Sequence, residues 1–254
     1  MNHIKYIMRA AADMILPRAC VVCGEKLLLN EKHLCLYCMA DLPLTRFWEM
    51  AHNPMADKFN ALIQVGLEES QAQPHERYAH AAALFFFSSD APYRHILYNI
   101  KYEGRVDLGR HFGRMLGDRL ASSEAFRDVD CVMPVPLHWI RRWRRGYNQA
   151  EVIAREVAAA LGVPLDCGTL ARRRRTRTQT RLDIKGKAAN VAGAFEVRNK
   201  TQVAEEQPQL KHILLIDDLF TTGSTLFACF TALRQVFPPE VRISVATLGF
   251  VGGA

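Results

Sequence analysis

Asp217 and Asp218 directly follow the apolar run Ile213-Leu214-Leu215-Ile216, and Thr221-Thr222-Gly223-Ser224-Thr225 comes three residues later. An amphipathic stretch then runs from Leu226 to Phe237. This order predicts a buried strand, a hydroxyl-rich turn and the start of a helix. Backbone N–H groups and hydroxyls at a helix N-terminus suit a phosphate. Two adjacent carboxylates at the C-terminal end of a strand suit sugar hydroxyls or a metal ion. An ordinary buried strand with a polar turn has no need of two carboxylates and four hydroxyls within nine residues. A P-loop is excluded, because no Gly-Lys-Ser/Thr follows a glycine-rich turn.

A second constellation lies near the N-terminus. Of the seven cysteines, four form the pairs Cys20-x2-Cys23 and Cys35-x2-Cys38. Two such knuckles supply the four thiolates of a tetrahedral structural zinc site, and Gly24 suits the tight turn of the first. A redox Cys-x-x-Cys is the rival reading. It is disfavoured by the nearness of the second pair and by the lack of a surrounding βαβ pattern. Cys131, Cys167 and Cys229 stand in apolar contexts and are expected to be small core residues.

The elements that must position these groups follow from patterning. The chain of 254 residues, 49% hydrophobic, is long enough for one sizeable α/β domain and a small module. Residues 1–16 read as an amphipathic helix with apolar positions at Ile4, Ile7, Met8 and Ala11, residues 17–50 as a zinc ribbon, and residues 51–78 as a linker or hood. Residues 79–254 read as the main domain. Strands are predicted at Ala81–Phe87, Val129–Val135, Lys211–Asp217 and Val241–Phe250, and helices at Tyr93–Ile100, Leu108–Leu120 and Gly146–Leu161. This alternation predicts a mainly parallel sheet flanked by helices. Leu170–Asn190 is polar and aperiodic and reads as a long mobile loop.

The net charge of +7 is concentrated in Arg141-Arg142-Trp143-Arg144-Arg145 and in Arg172–Arg175 with Arg177, Arg181, Lys185 and Lys187. Such clusters attract polyanions, whether a small polyphosphate or a nucleic acid. Trp139, Trp143 and Tyr147 interleave with the first cluster, as aromatics do in single-strand binders. No apolar stretch approaches the ~18 residues that span a bilayer. No targeting signal is visible, so a cytoplasmic location is expected.

Several segments taken together resemble one family. The two cysteine pairs are followed by Ile100-Lys101-Tyr102-Glu103-Gly104, Pro134-Val135-Pro136-Leu137, Arg145-Gly146-Tyr147-Asn148-Gln149-Ala150 and Arg177-x-Gln179…Asn190-x2-Gly193-Ala194-Phe195, and then by the acidic pair and the threonine-rich turn. The set is similar to the ComF family of amidophosphoribosyltransferase-like proteins, associated with competence for DNA uptake, and the acidic segment resembles the phosphoribosyl pyrophosphate (PRPP) signature of type I phosphoribosyltransferases.

The resemblance implies a type I phosphoribosyltransferase fold with an N-terminal zinc ribbon, Mg2+ bound together with PRPP, and transfer of phosphoribose to a nucleobase or related amine. It assigns the ribose to Asp217 and Asp218, the 5-phosphate to Thr221, Thr222, Gly223, Ser224 and Thr225, and the pyrophosphate to Lys101, Tyr102, Glu103 and Gly104. Arg177, Gln179, Lys187 and Asn190 fall in the loop that closes over the site. Lys187 stands where many relatives carry arginine, which keeps the charge and loses bidentate geometry. Cys20, Cys23, Cys35 and Cys38 are the zinc ligands. The alternative is a non-catalytic sensor of PRPP or a nucleotide that binds single-stranded DNA or a DNA-uptake or recombination protein. The acceptor, the ligand of Arg145–Gln149 and the oligomeric state are left open.

Overall fold

The computed structural model describes residues 17–69, 76–172, 193–198 and 209–252. The expected N-terminal helix at residues 1–16 lies outside the described residues, as do Arg177, Gln179, Lys187 and Asn190 of the expected loop. In chain order the elements are α1 (Leu36–Ala40), α2 (Pro54–Glu69), β1 (Ala81–Phe86), α3 (Arg94–Tyr102), α4 (Val106–Ala121), β2 (Cys131–Pro134), α5 (Trp139–Arg145) and α6 (Gln149–Leu161). They continue with β3 (Leu170–Arg172), β4 (Phe195–Val197), β5 (His212–Phe220), α7 (Ser224–Leu233) and β6 (Arg242–Phe250).

Four strands form one sheet in the order β1-β6-β5-β2, with all three pairings parallel. The strands carry near-continuous buried residues: five of the six in β1, all four of β2 and eight of the nine in β6. Parallel strands covered by helices on both faces have no solvated side to alternate with. The outer edge of β1 is covered by Pro43–Thr45, through Thr45 N–H to Leu84 O at 3.2 Å and Phe86 N–H to Pro43 O at 2.8 Å. That covering blunts a sheet edge that would otherwise template further strands.

Three segments differ from the sequence expectation. The stretch read as a linker or hood holds the sixteen-residue α2, which buries Met55, Ala56, Phe59 and Ile63. Asn53 caps it, its Oδ1 accepting from Met55 N at 3.1 Å and Ala56 N at 3.0 Å. Pro54 occupies the first helical position, where its missing N–H costs nothing. The helix expected from Gly146 begins at Gln149, because Gly146 adopts φ +78° and ends the short preceding helix α5, which the sequence reading did not include. Leu170–Arg172, read as the start of a loop, pairs antiparallel with Phe195–Val197. Among the three remaining cysteines, Cys131 and Cys229 are buried as expected, whereas Cys167 is exposed.

α4 and α6 approach each other unusually closely along Gly109, Gly113 and Gly117. A Cβ on Gly117 would lie 2.7 Å from Ala160 Cβ and 3.1 Å from Val157 Cα, and one on Gly113 would lie 3.0 Å from Ile153 Cα. Backbone cannot yield as a flexible side chain can. Gly117→Val is therefore expected to cost about 1–3 kcal/mol by overpacking, read as a lower urea midpoint at unchanged m-value. An unchanged midpoint would mean that the two helices are free to separate.

Under the opposite end of the sheet lies a polar cluster. His212 is fully buried, with Nδ1 2.7 Å from Asp128 Oδ1 and Nε2 2.7 Å from Ser244 Oγ. His80 packs beside it with ring centroids 6.2 Å apart. Burial, reinforced by Arg242 and His212, pulls the His80 imidazole down to about 4, against a raising effect of Asp128 and a further lowering by Arg77. Burial also lowers His212, although Asp128 opposes it. Both rings are thus neutral in the fold and protonate more readily in the unfolded chain, near pH 6.5. The native state binds fewer protons, so stability is full above about pH 6.5 and falls as pH drops toward 4. His80→Phe is expected to flatten that fall in urea midpoints between pH 7 and 5, and an equally steep fall in the variant would exclude His80 as a contributor.

Candidate functional site

The site forms where the sheet opens. β2 pairs with β5 only as far as Pro134↔Ile216, and Val135 N–H gives the last link to Ile216 O at 2.8 Å. Pro134 and Pro136 then turn the chain away. β5 continues to Phe220 against β6, with Asp217 opposite Thr247. The two carboxylates therefore sit within the strand and not at its end, on the stretch where one edge of β5 has lost its neighbour. Binding clefts of open parallel sheets lie at this carboxyl end of the strands.

A polar cleft of about 330 Å³ occupies the gap, lined by Lys101, Tyr102, Arg141, Arg145, Gln149 and Arg172 together with Asp217, Asp218 and Thr225. Asp218 is 5% exposed, and its Oδ1 lies 3.0 Å from Lys101 Nζ. Its Oδ2 is buried and has no hydrogen-bond partner among the described residues. Asp217 Oδ1 accepts from Asp218 N at 2.8 Å. Burial, then the charge of Asp218, pushes the Asp217 carboxyl up to about 7, and Lys101 and Arg172 pull it only part of the way back. A carboxyl held this far above its ordinary value stores unfavourable charge that a cation or hydroxyl donor relieves.

The threonine-rich turn follows directly. Gly223 has φ +79°, and a Cβ there would meet Phe220 Cζ at 2.7 Å and Leu62 Cδ1 at 2.9 Å, so the turn admits only glycine. Thr222 Oγ1 and Ser224 Oγ are 2.9 Å apart at the start of α7. The first-turn N–H groups of a ten-residue helix have no intrahelical partners. Of the five turn residues, Thr225 lines the cleft itself. Phe220, which could have stacked on a ligand, is 1% exposed and packs on Phe250 at 5.7 Å between ring centroids.

The other expected contacts divide. Lys101 and Tyr102, at the end of α3, reach the cleft, whereas Glu103 and Gly104 do not line it. The segment that follows a strand at this point is Val135–Leu137, which also lines the cleft. The sequence placed Arg141 in a cluster that attracts polyanions and left the ligand of Arg145–Gln149 open; Arg141, Arg145 and Gln149 all line the cleft.

The four paired cysteines come together, with all Sγ atoms within 4.8 Å of one another and Cys23 and Cys35 3.7 Å apart. A tetrahedral zinc with Zn–S bonds of ~2.3 Å needs sulfurs about 3.8 Å apart, so the donor set fits structural zinc. The fold here is local: Gly24 N–H bonds Cys20 O at 2.9 Å with φ +80°, Val21 N–H bonds His33 O at 3.0 Å, and Cys35 begins α1, which carries Cys38. Burial raises the Cys20 thiol, but backbone N–H groups of Cys23, Cys35 and Val22 outweigh it and bring the group down to about 7. A thiol poised near neutrality is readily ionised for a metal.

A parallel sheet whose central strand carries an acidic pair into a threonine-rich helix start bears out the expected α/β class, a mainly parallel sheet flanked by helices. The relatives add to this. The chain is similar to competence protein F of Haemophilus influenzae, 29% identical over 153 residues that cover 58% of this chain and 64% of that protein. It is also similar to the DNA utilization protein YhgH of Salmonella typhimurium, 30% identical over 134 residues, 52% of this chain and 56% of that protein. The resemblance to the ComF family is thereby borne out. The matches span about three fifths of each relative's length. No protein-family model matches the chain. A glutamine PRPP amidotransferase from B. subtilis, solved with ADP and GMP, overlaps at a TM-score of 0.37 and 22% identity, covering 58% of this chain and 30% of that one. The fold assignment rests on the chain's own sheet instead. Among the described residues no helix is long and apolar enough to cross a membrane.

Proposed function

We propose that the cleft binds PRPP with Mg2+ and transfers its phosphoribosyl group to a nitrogen acceptor, a nucleobase or related amine. The observation that carries this reading is the continuity of Asp217 and Asp218 with the Thr221–Thr225 turn, facing Lys101, Arg141, Arg145 and Arg172 across one cleft. The turn and the start of α7 take the 5-phosphate. Asp217 and Asp218 take the ribose hydroxyls, and Lys101 with Tyr102 stands on the side of the pyrophosphate, with Glu103 and Gly104 completing that segment.

In the transfer, the C1–O bond to pyrophosphate breaks, the leaving group keeps the electron pair, and the acceptor nitrogen forms the new bond to C1 while losing its proton. Positive charge develops at C1 and negative charge on pyrophosphate. The protein's part is positioning and charge stabilisation: the carboxylates face the developing cation, and Lys101 and the arginines face the leaving group. Hard oxygen donors such as Asp217 and Asp218 fit Mg2+, which when bound would neutralise charge on the pyrophosphate. The four cysteines hold a structural zinc that staples the N-terminal module. Calorimetric titration of PRPP with Mg2+ tests the reading, and the absence of heat from the wild-type protein would end it.

A second reading is favoured by one specific observation. Trp139 and Trp143 are 70% and 84% exposed on α5, one helical turn apart and among four arginines. Stacking platforms flanked by guanidinium groups bind single-stranded nucleic acid. The names of the relatives, concerned with competence and DNA utilization, agree with a DNA context. Trp143→Ala is expected to weaken oligo-dT binding by about 10-fold, the range for one lost stacking contact, with affinity falling as salt rises. Fluorescence anisotropy checks this, and equal affinity in the variant would remove α5 from the interface.

A further inference from the structure

Within the run Arg145-Gly146-Tyr147-Asn148-Gln149, the reading above gives Tyr147 no role. The run's contacts converge on one place. Tyr147 Oη donates to the carbonyl of Ile100, in the last turn of α3. Carbonyls of a helix's last turn have no intrahelical donor, so the phenol satisfies a group that would otherwise be an orphan in a half-buried position. Arg145 places its guanidinium 5.1 Å from the centre of the Tyr102 ring, a favourable cation–π geometry. Gly146, in the left-handed region, makes the reversal that lets the two neighbouring side chains reach the same turn. Asn148 ties the run down on its other side: Nδ2 donates to Val135 O at 3.0 Å, and Oδ1 accepts from Ala150 N at 3.2 Å. Between the two clamped residues, Ile100 and Tyr102, lies Lys101, whose ammonium meets Asp218 at 3.0 Å.

We infer that Tyr147 is a positioning residue for Lys101: with Arg145 it locks the last turn of α3 so that the ammonium is aimed into the cleft. Lys101 is the last residue but one of a nine-residue helix. Its long side chain gains from a fixed backbone, because less freedom then remains to be lost when an anion binds. Arg145 and Tyr147 have the same target because they lie on either side of one glycine turn. The clamp itself is independent of the ligand, and only its consequence for binding rests on the phosphoribosyltransferase reading.

Two measurements on the full chain test it. Hydrogen exchange compares wild type with Tyr147→Phe, which keeps the ring and removes the hydroxyl. Exchange of the backbone amides at 101–105 is expected to accelerate at least tenfold, with those of α6 unchanged. No acceleration at 101–105, or equal acceleration throughout α6, overturns the inference. Titration of PRPP with Mg2+ then closes a double-mutant cycle. Tyr147→Phe is expected to weaken binding five- to tenfold in the wild-type background and not at all in Lys101→Ala, because a residue acting through Lys101 has nothing left to position. Additive losses overturn the inference while leaving the PRPP reading in place. Wild-type protein that binds no PRPP ends that reading, and the exchange result then decides the clamp alone.

Discussion

Replacing Asp217 and Asp218 together by asparagine is expected to weaken Mg2+-dependent PRPP binding by at least about 100-fold. Each carboxylate offers charge-assisted hydrogen bonds worth about 1.5–3 kcal/mol, and two such losses compound to that factor or more. The companion expectation concerns stability. Burial and the charge of Asp218 disfavour ionisation of Asp217, so Asp217→Asn alone is expected to leave the melting temperature equal or raise it. A site that costs its fold something is the usual mark of a binding centre. Calorimetry and thermal melts on the same samples check both halves. Undiminished PRPP affinity in the double variant would remove the acidic pair from the ligand, and a large drop in melting temperature for Asp217→Asn would make the pair a structural feature instead.

The second large effect is expected at the cysteines. Cys20 and Cys35 are buried at 3% and 8% exposure and belong to the same core as Phe47 and Trp48. The module is also tied to α3 and the turn after it. Tyr93 Oη donates to Asp41 Oδ2 at 3.0 Å, and Arg105 lies 3.4 Å from His33 Nδ1. Removing the metal leaves four thiols crowded without the bond energy that closes the two knuckles. Chelation, or Cys35→Ser, is expected to lower the melting temperature by on the order of 10 °C, since several kcal/mol at a few degrees each are at stake in a chain of this size. PRPP affinity is expected to change by less than about tenfold, because the cysteines lie outside the cleft. One zinc per chain by elemental analysis accompanies this expectation. Equal melting with and without chelator would overturn the structural-zinc reading.

Sequence and structure agree most closely where the chain is its own context. The strand, turn and helix around Asp217 are legible because apolar run, carboxylates and hydroxyls are contiguous, and a parallel-sheet strand is buried whatever its neighbours. The knuckles are legible for the same reason, since two residues between cysteines fix a tight turn. Residues 51–69 were harder. Asn53-Pro54 reads as a break, yet it is the cap and first residue of α2, and the spacing Met55, Phe59, Ile63 carried the helical period. The helix expected from Gly146 onward starts three residues later, at Gln149, because periodicity cannot distinguish a glycine that opens a helix from one that ends the helix before it.

What the sequence by itself determined is the chemistry available: two carboxylates, a hydroxyl-rich turn, four paired cysteines and an excess of arginine, each set by residue type and short spacing. What only the tertiary structure decided is who faces whom. Lys101 meets Asp218, Tyr147 meets Ile100 and Arg145 meets Tyr102 across long stretches of chain. β2 ends early enough to leave one edge of β5 open at the acidic pair. Those contacts arise from the packing of helices on a sheet, and no local rule of spacing encodes them. Burial is the first cause of the raised Asp217 carboxyl, and burial is a property of the whole fold.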